Sequence, residues 1–348
     1  MNALMKAICK VAPAEGLSIQ EVPEPTLRPG MVQVRVLRTS LCGTDLHIYR
    51  WDPWAQSRLR PPLIVGHEFC GVIEAVGEDV NGLSVGDFIA GESHIVCGHC
   101  TPCRLGQAHV CLNTRILGVD VDGCFAPRIV VPAQNAQRTD RRIPPEVATV
   151  QDPLGNAVHT VLSGEVAGKT VLITGCGAIG LFSIAVAKAC GATRVYATEV
   201  LPHRIELAYQ MGADEVFNPL QQDPVPALLR LTDGLGVDVA LEMSGHPSAI
   251  PLITQAIRPG GRISLLGLFA EPLTVDLNAL IFKGVEIHAI IGRRLYQTWE
   301  TMQALLLSGK LDVRPAITHQ LPWYEYEHAF ELMRTGEAGK VVLVWDEK

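Results

Sequence analysis

The 348-residue chain has no surplus of positive charge: 29 lysines and arginines stand against 36 aspartates and glutamates, a formal net charge of −7. That argues against sequence-independent nucleic-acid binding, which draws on clustered cations. Charged residues make up only 19% of the chain and hydrophobic ones 48%. This balance excludes a disordered chain, a collagen and a coiled coil. Ten cysteines in 348 residues are too few and too uneven for a small disulfide scaffold. The first ten residues lack the charged start and long apolar core of a signal peptide. Long apolar runs are scarce too. The 18 uncharged residues between Lys169 and Lys188 are interrupted by Gly175, Gly177 and Gly180. They read as a buried strand, a turn and a helix rather than a membrane span. A cytoplasmic protein with reduced thiols and no membrane partner is expected.

The length suggests about two domains, and the two halves read differently. Up to about Val150, short β-rich runs are broken by Gly and Pro, as at Val32–Leu37, Cys70–Val76 and Phe125–Val131. This predicts an irregular, largely antiparallel β domain. From Lys169 to Ile291, six β-rich runs alternate with helical windows. The runs are Thr170–Thr174, Arg194–Glu199, Glu215–Asn218, Val237–Glu242, Arg262–Gly267 and Val285–Ile291. Such alternation predicts an α/β fold with a doubly wound, six-stranded parallel sheet of the Rossmann type. The tail, with a helix over Tyr296–Ser308 and a last strand over Lys340–Val344, is expected to return to the first domain.

Gly175-Cys-Gly177-Ala-Ile-Gly180 follows a predicted strand and opens a predicted helix, the context that gives this spacing meaning. The first glycine permits a tight turn, the second lets a pyrophosphate approach the backbone, and the third packs helix on strand. The helix N-terminus offers free N–H groups to phosphate. Glu199 ends the next strand, where a carboxylate accepts from both adenine-ribose hydroxyls and repels a 2′-phosphate. This favours NAD over NADP, and Arg204 lies within reach of the same ribose.

Cys97, Cys100, Cys103 and Cys111 fall within 15 residues. The paired spacing aims successive sulfurs at one centre, and four thiolates complete a tetrahedral Zn²⁺ with no open position, a structural site. The seven residues between Cys103 and Cys111 depart from the ferredoxin spacing. A second grouping is more open. Cys42, Thr44 and His47 lie within six residues, His67 and Glu68 follow 25 residues on from Cys42, and Asp152 precedes the nucleotide domain. One Cys, one His and one carboxylate make a zinc set that leaves a place for a substrate oxygen. Taken singly, the same residues also read as a buried thiol, a core histidine and a helix-capping aspartate.

In this order, Cys42-Gly-Thr-Asp-Leu-His47, Gly66-His-Glu-Phe-Cys-Gly71, the Cys97–Cys111 loop and Gly175–Gly180 resemble the zinc-dependent medium-chain alcohol dehydrogenases. The stretches His47–Gln56, Asp152–Thr160 and Leu241–Gly245, with Ile281–Gly284 and Thr298-Trp299, are similar to the bacterial branch that oxidises L-threonine at C3. The resemblance implies a GroES-like catalytic domain over residues 1–153, a Rossmann domain over 154–293 and a returning segment over 294–348. It implies a catalytic zinc on Cys42, His67 and Glu68 with Asp152 beside it, a structural zinc on the four-thiol loop, and a proton relay through Thr44 and His47. Ile179, Glu199 and Arg204 match adenosine-side contacts of NAD; Leu266-Gly267-Leu268 and Ile290-Ile291 match loops near the nicotinamide. The implied reaction is zinc-assisted hydride transfer from C3 of L-threonine to NAD, giving 2-amino-3-oxobutanoate, in a homotetramer. Glu92, His94 and Arg294 are candidates for gripping the substrate's ammonium and carboxylate. The alternatives are a polyol or secondary-alcohol dehydrogenase on the same scaffold, a zinc-free quinone reductase, and a non-catalytic nucleotide-binding protein stabilised by zinc.

Overall fold

The computed structural model describes residues 3–345, and their contacts separate two units. The first comprises the residues up to Asp152 and those from Ile317 on; the second is Pro153–Ala316.

A seven-stranded sheet dominates the first unit. Its main path runs Ala136–Arg138, Phe88–Gly91, Glu68–Val76, Met31–Ser40, Lys340–Val344, Ile317–Pro322, and Arg128–Pro132 also pairs with Met31–Ser40. The central strand Met31–Ser40 shows why the sequence chooses this form. Val32, Val34 and Val36 alternate into a core that also holds Phe69, Ile73, Ile89, Phe125 and Phe330, the two-residue period of a strand. Register then fixes the site. Ser40 lies opposite Glu68 on one side and opposite Val342 on the other. The strand expected from Phe125 begins only at Arg128, because Phe125 and Ala126 use their backbone on Val65 and Cys124.

Short helices interrupt a half that reads largely as strands. Helix α1 spans Gly43–Arg50 and starts with a reciprocal cap: Asp45 accepts from the Cys42 N–H at 2.8 Å, as acidic residues at this position do. It ends at Trp51, whose φ of 56° reverses the chain. Helix α2 spans Pro53–Arg58, with Asp52 capping the Ala55 N–H at 3.0 Å and Pro53 in the first turn, the position where proline costs no hydrogen bond.

The second unit carries a six-stranded parallel sheet in the order Glu215–Phe217, Arg194–Thr198, Thr170–Thr174, Val237–Glu242, Ile257–Leu265, Glu286–Ala289. In chain order this is 3-2-1-4-5-6, the doubly wound arrangement. The fifth strand starts at Ile257 rather than Arg262, with a register shift against Val237–Val239. Residues 294–316, expected to return to the first domain, stay with this unit. Arg293 Nη1 donates to Asn156 Oδ1 at 3.1 Å, Gly292 O lies 2.9 Å from His159 Nδ1, and the helix Gln297–Leu307 buries Trp299 and Met302. The return begins at Ile317. Among the described residues no helix is long and apolar enough to cross a membrane.

The glycine turn shows how tightly this unit is packed. A Cβ on Gly180 would stand 2.0 Å from the Gly175 carbonyl oxygen, a backbone atom that cannot rotate aside. Gly180→Ala is therefore expected to lower unfolding stability by roughly 1–3 kcal/mol, measured by denaturant titration. An unchanged midpoint would mean that helix and strand are not in this contact.

Candidate active site

Two strand starts and one helix start converge in the first unit. Cys42 caps α1, His67 and Glu68 open the strand Glu68–Val76, and Lys340 opens the last strand. The ligand atoms of Cys42, His67 and Glu68 all lie within 4.8 Å of one another. His67 is hydrogen-bonded to the Cys42 thiol. The other side of its ring looks onto buried Asp45: Nδ1 and Oδ1 are 3.6 Å apart, and neither atom has a hydrogen-bond partner among the described residues. This is the carboxylate–histidine arrangement that orients a metal-binding imidazole. Burial works to lower the pKa of His67, but the charge of Asp45, followed by the Cys42 thiol, outweighs it and raises the group to about 10. Burial also pushes the Asp45 carboxyl upward.

Glu68 has only 1% of its side chain exposed. Its Oε2 pairs with Lys340 Nζ at 2.5 Å, and the Ser40 hydroxyl donates to the same oxygen. Lys340 is itself 3% exposed and also donates to the Leu41 carbonyl at 2.6 Å. Thiol, imidazole and carboxylate so close together fit a divalent ion of intermediate softness. Asp152 lies outside this cluster. It is buried in the first turn of the helix Gln151–Val161, and its Oδ1 accepts from the Ser93 N–H at 3.1 Å. Thr44 stands in the first turn of α1, with its hydroxyl 3.8 Å from the Cys42 sulfur. His47 is three residues on, a spacing that shares a helix face. Glu92 is fully buried and accepts from the His94 N–H at 2.8 Å.

The four thiols of the loop also meet. Cys100 lies 3.4 Å from Cys103 and 3.8 Å from Cys111, and Cys111 lies 3.6 Å from Cys97. A tetrahedron with Zn–S bonds of ~2.3 Å has edges of about 3.8 Å, so the sulfurs stand where a closed zinc site needs them. Asn113 stabilises two of them: its amide donates to Cys97 and its N–H to Cys111. The Asn113 amide and backbone N–H groups pull Cys97 down to about 5. Asn113 had no sequence signal beyond its place after Cys111.

In the second unit, each glycine of the turn meets a different neighbour. Gly175 has φ +84° and faces Ser244, Gly180 rests on the Gly175 carbonyl, and a Cβ on Gly177 would meet nothing within 4 Å. That open direction is the approach a pyrophosphate requires. Gly175, Gly177, Glu199 and Arg204 line a cleft of about 900 Å³. The Glu199 carboxylate accepts from three backbone N–H groups, those of Cys176 (2.8 Å), Val200 (2.7 Å) and Leu201 (3.0 Å). Ile179 sits in the first turn of the helix Ala178–Ala189. Leu266, Gly267 and Leu268 follow the fifth strand, and Ile290 and Ile291 follow the sixth. Both segments lie outside the lining of this cleft. Sequence reasoning missed Lys340, Ser40 and Asp45. A lysine opening an otherwise apolar strand was the available signal for the first.

A family model described as "Alcohol dehydrogenase GroES-like domain" matches residues 28–141, and one described as "Zinc-binding dehydrogenase" matches residues 178–308. The L-threonine 3-dehydrogenase of Pyrococcus horikoshii is 53% identical over 346 residues, 99% of each chain. Alcohol dehydrogenase TADH from Thermus sp. ATN1 superposes with a TM-score of 0.91 at 32% identity, covering 98% of this chain and 99% of its own. An E. coli CFT073 alcohol dehydrogenase (rspB), complexed with NADH, gives 0.90 at 30% identity, covering 99% and 100%. Identity of this extent, over the full length of both chains, makes the protein a member of the zinc-dependent medium-chain alcohol dehydrogenase family.

Proposed function

We propose that the protein oxidises L-threonine at C3 to 2-amino-3-oxobutanoate, with NAD as hydride acceptor and two zinc ions per chain. The observation that carries the substrate is the end-to-end similarity to an L-threonine 3-dehydrogenase at 53% identity, well above the 32% and 30% shared with the two dehydrogenases of known structure.

Cys42, His67 and Glu68 hold the catalytic ion, with Asp45 orienting His67 and Lys340 orienting Glu68. When bound, zinc supplies Lewis acidity that eases loss of the substrate's hydroxyl proton near neutral pH, and NAD takes the hydride. Thr44 accepts and passes on that proton, and His47, whose side chain is 56% exposed, delivers it to water. Asp152 stays in the polar shell of the site through Ser93. Glu199 and Arg204 hold the adenosine end of NAD, and the carboxylate excludes a 2′-phosphate. Leu266, Gly267, Leu268, Ile290 and Ile291 border the nicotinamide. Cys97, Cys100, Cys103 and Cys111 hold the second zinc, which is structural. The lack of disulfides among the described residues supports a reducing, cytoplasmic setting. For the homotetramer, support comes from the sheet edge Glu286–Ala289. Among the described residues its backbone has no partner strand on one side, and Ile281, Phe282 and Ile287 are exposed beside it, a surface that chains normally cover.

With NAD⁺, the purified protein should reduce the cofactor on L-threonine at least tenfold faster than on sorbitol or 2,3-butanediol. A preference for a polyol would contradict the substrate assignment. The two cysteine sets should separate in a pair of variants. Cys42→Ser is expected to bring turnover down by 10²-fold or more and to remove about half of the bound zinc, with a smaller loss of melting temperature than a substitution in the thiol loop. Cys97→Ser is expected to lower the melting temperature by on the order of 10 °C, because a closed site contributes folding energy. Equal thermal effects of the two substitutions would contradict the division of labour.

A further inference from the structure

The stretch Trp51–Gln56 carries part of the sequence resemblance, yet nothing in the reaction described above uses it. Its geometry gives it one focus. Trp51 ends α1 with φ 56°, and this turn brings Asp52 back over the last helical turn, where its N–H reaches the His47 carbonyl at 3.4 Å. Oδ2 of Asp52 then pairs with Nδ1 of His47. Oδ1 of the same carboxylate accepts from the Ala55 N–H at 3.0 Å, so both oxygens are fixed. Trp54 closes a second side, its ring centroid 5.9 Å from that of His47 at a tilt of 58°.

The bracket is itself anchored. Lys10 Nζ stands 5.0 Å from the Trp51 ring centroid and donates to the carbonyls of Gly16 (3.0 Å) and Tyr49 (3.3 Å). Gln56 Nε2 donates to the Trp51 carbonyl at 2.8 Å. A histidine on the open end of a short helix, 56% exposed, would ordinarily sample several rotamers. Here the Asp52 carboxylate and the Trp54 ring hold it, while Gln56 and Lys10 brace the Trp51 turn that presents them.

We infer that Asp52 is a positioning residue for proton release. By accepting the Nδ1–H, it keeps the neutral imidazole in the tautomer whose lone pair is on Nε2. The ring therefore faces the relay with a base rather than a donor. The step balances simply: a proton leaves the Thr44 side of the relay and adds to Nε2, Nδ1 keeps its hydrogen toward Asp52, and Nε2 later loses the proton to water. The carboxylate offsets the charge of the imidazolium in between and is not itself protonated. The inference rests on His47 being the last group of the relay.

Asp52→Asn separates charge from scaffolding, because Asn caps a helix as well as Asp and so keeps the Ala55 hydrogen bond. In the zinc-loaded enzyme with L-threonine and NAD⁺, kcat should fall roughly tenfold, a fraction of the 10²–10⁴ that acid–base catalysis contributes. KM for NAD⁺ and the melting temperature should stay near the parent's. Added imidazole buffer should restore part of kcat in the variant and leave the parent unchanged. In a His47→Asn background, Asp52→Asn should have no further effect, the non-additivity of groups acting as one unit. Asp52→Asn within twofold of the parent, or equally harmful with and without His47, would overturn the inference while leaving the relay standing. If His47→Asn alone leaves kcat unchanged, the relay reading falls, and this inference with it.

Discussion

The first unit buries three carboxylates around its candidate metal site. Asp45, Glu68 and Asp152 are all inside, next to a thiol, and Lys340 is the lysine that answers Glu68. Taking such groups out of water costs several kcal/mol each, and the cost is recovered only where opposite charge and hydrogen bonds meet them. Fold and chemistry are joined at this point. The register that sets Ser40 opposite Glu68 and the last strand beside it also carries Lys340 to the Glu68 carboxylate. The divalent ion proposed between Cys42, His67 and Glu68 would add positive charge at the same point.

The glycine turn of the second unit is built from backbone rather than side chains, the form that suits the phosphate of a dinucleotide. One glycine of its turn has a positive φ, one has an open Cβ direction, and one sits against the turn's own carbonyl. The three are not interchangeable. Glu199 is the counterpart in side-chain form. Its extra methylene, compared with aspartate, lets the carboxylate reach back to the Cys176 N–H while still accepting from Val200 and Leu201. Turn and carboxylate are thereby tied into one structure.

Much of this was legible in the sequence, because the decisive residues are close together along the chain. The four thiols span 15 residues, the glycine turn spans six, and the six parallel strands announce themselves by alternating with helices. What was not legible depends on distance or on local capping. Lys340 is separated from Glu68 by most of the chain, and only strand pairing joins them. Helices α1 and α2 are too short for a periodicity signal and exist because Asp45, Asp52 and Pro53 cap them. The segment 294–316 carries no mark of the unit to which it packs; buried Trp299 and the Arg293–Asn156 bond decide it. Asp152 was readable as an acid near the site, whereas its contact with the Ser93 N–H was not.

The central claim is that Cys42, His67 and Glu68 enclose a metal distinct from the one in the thiol loop. A crystal of the zinc-loaded protein, measured on both sides of the zinc absorption edge, tests it directly. The account predicts two anomalous peaks per chain, one of them about 2.3 Å from the Cys42 sulfur and about 2.0–2.1 Å from a nitrogen of His67. A single peak, confined to the four thiols, would contradict it.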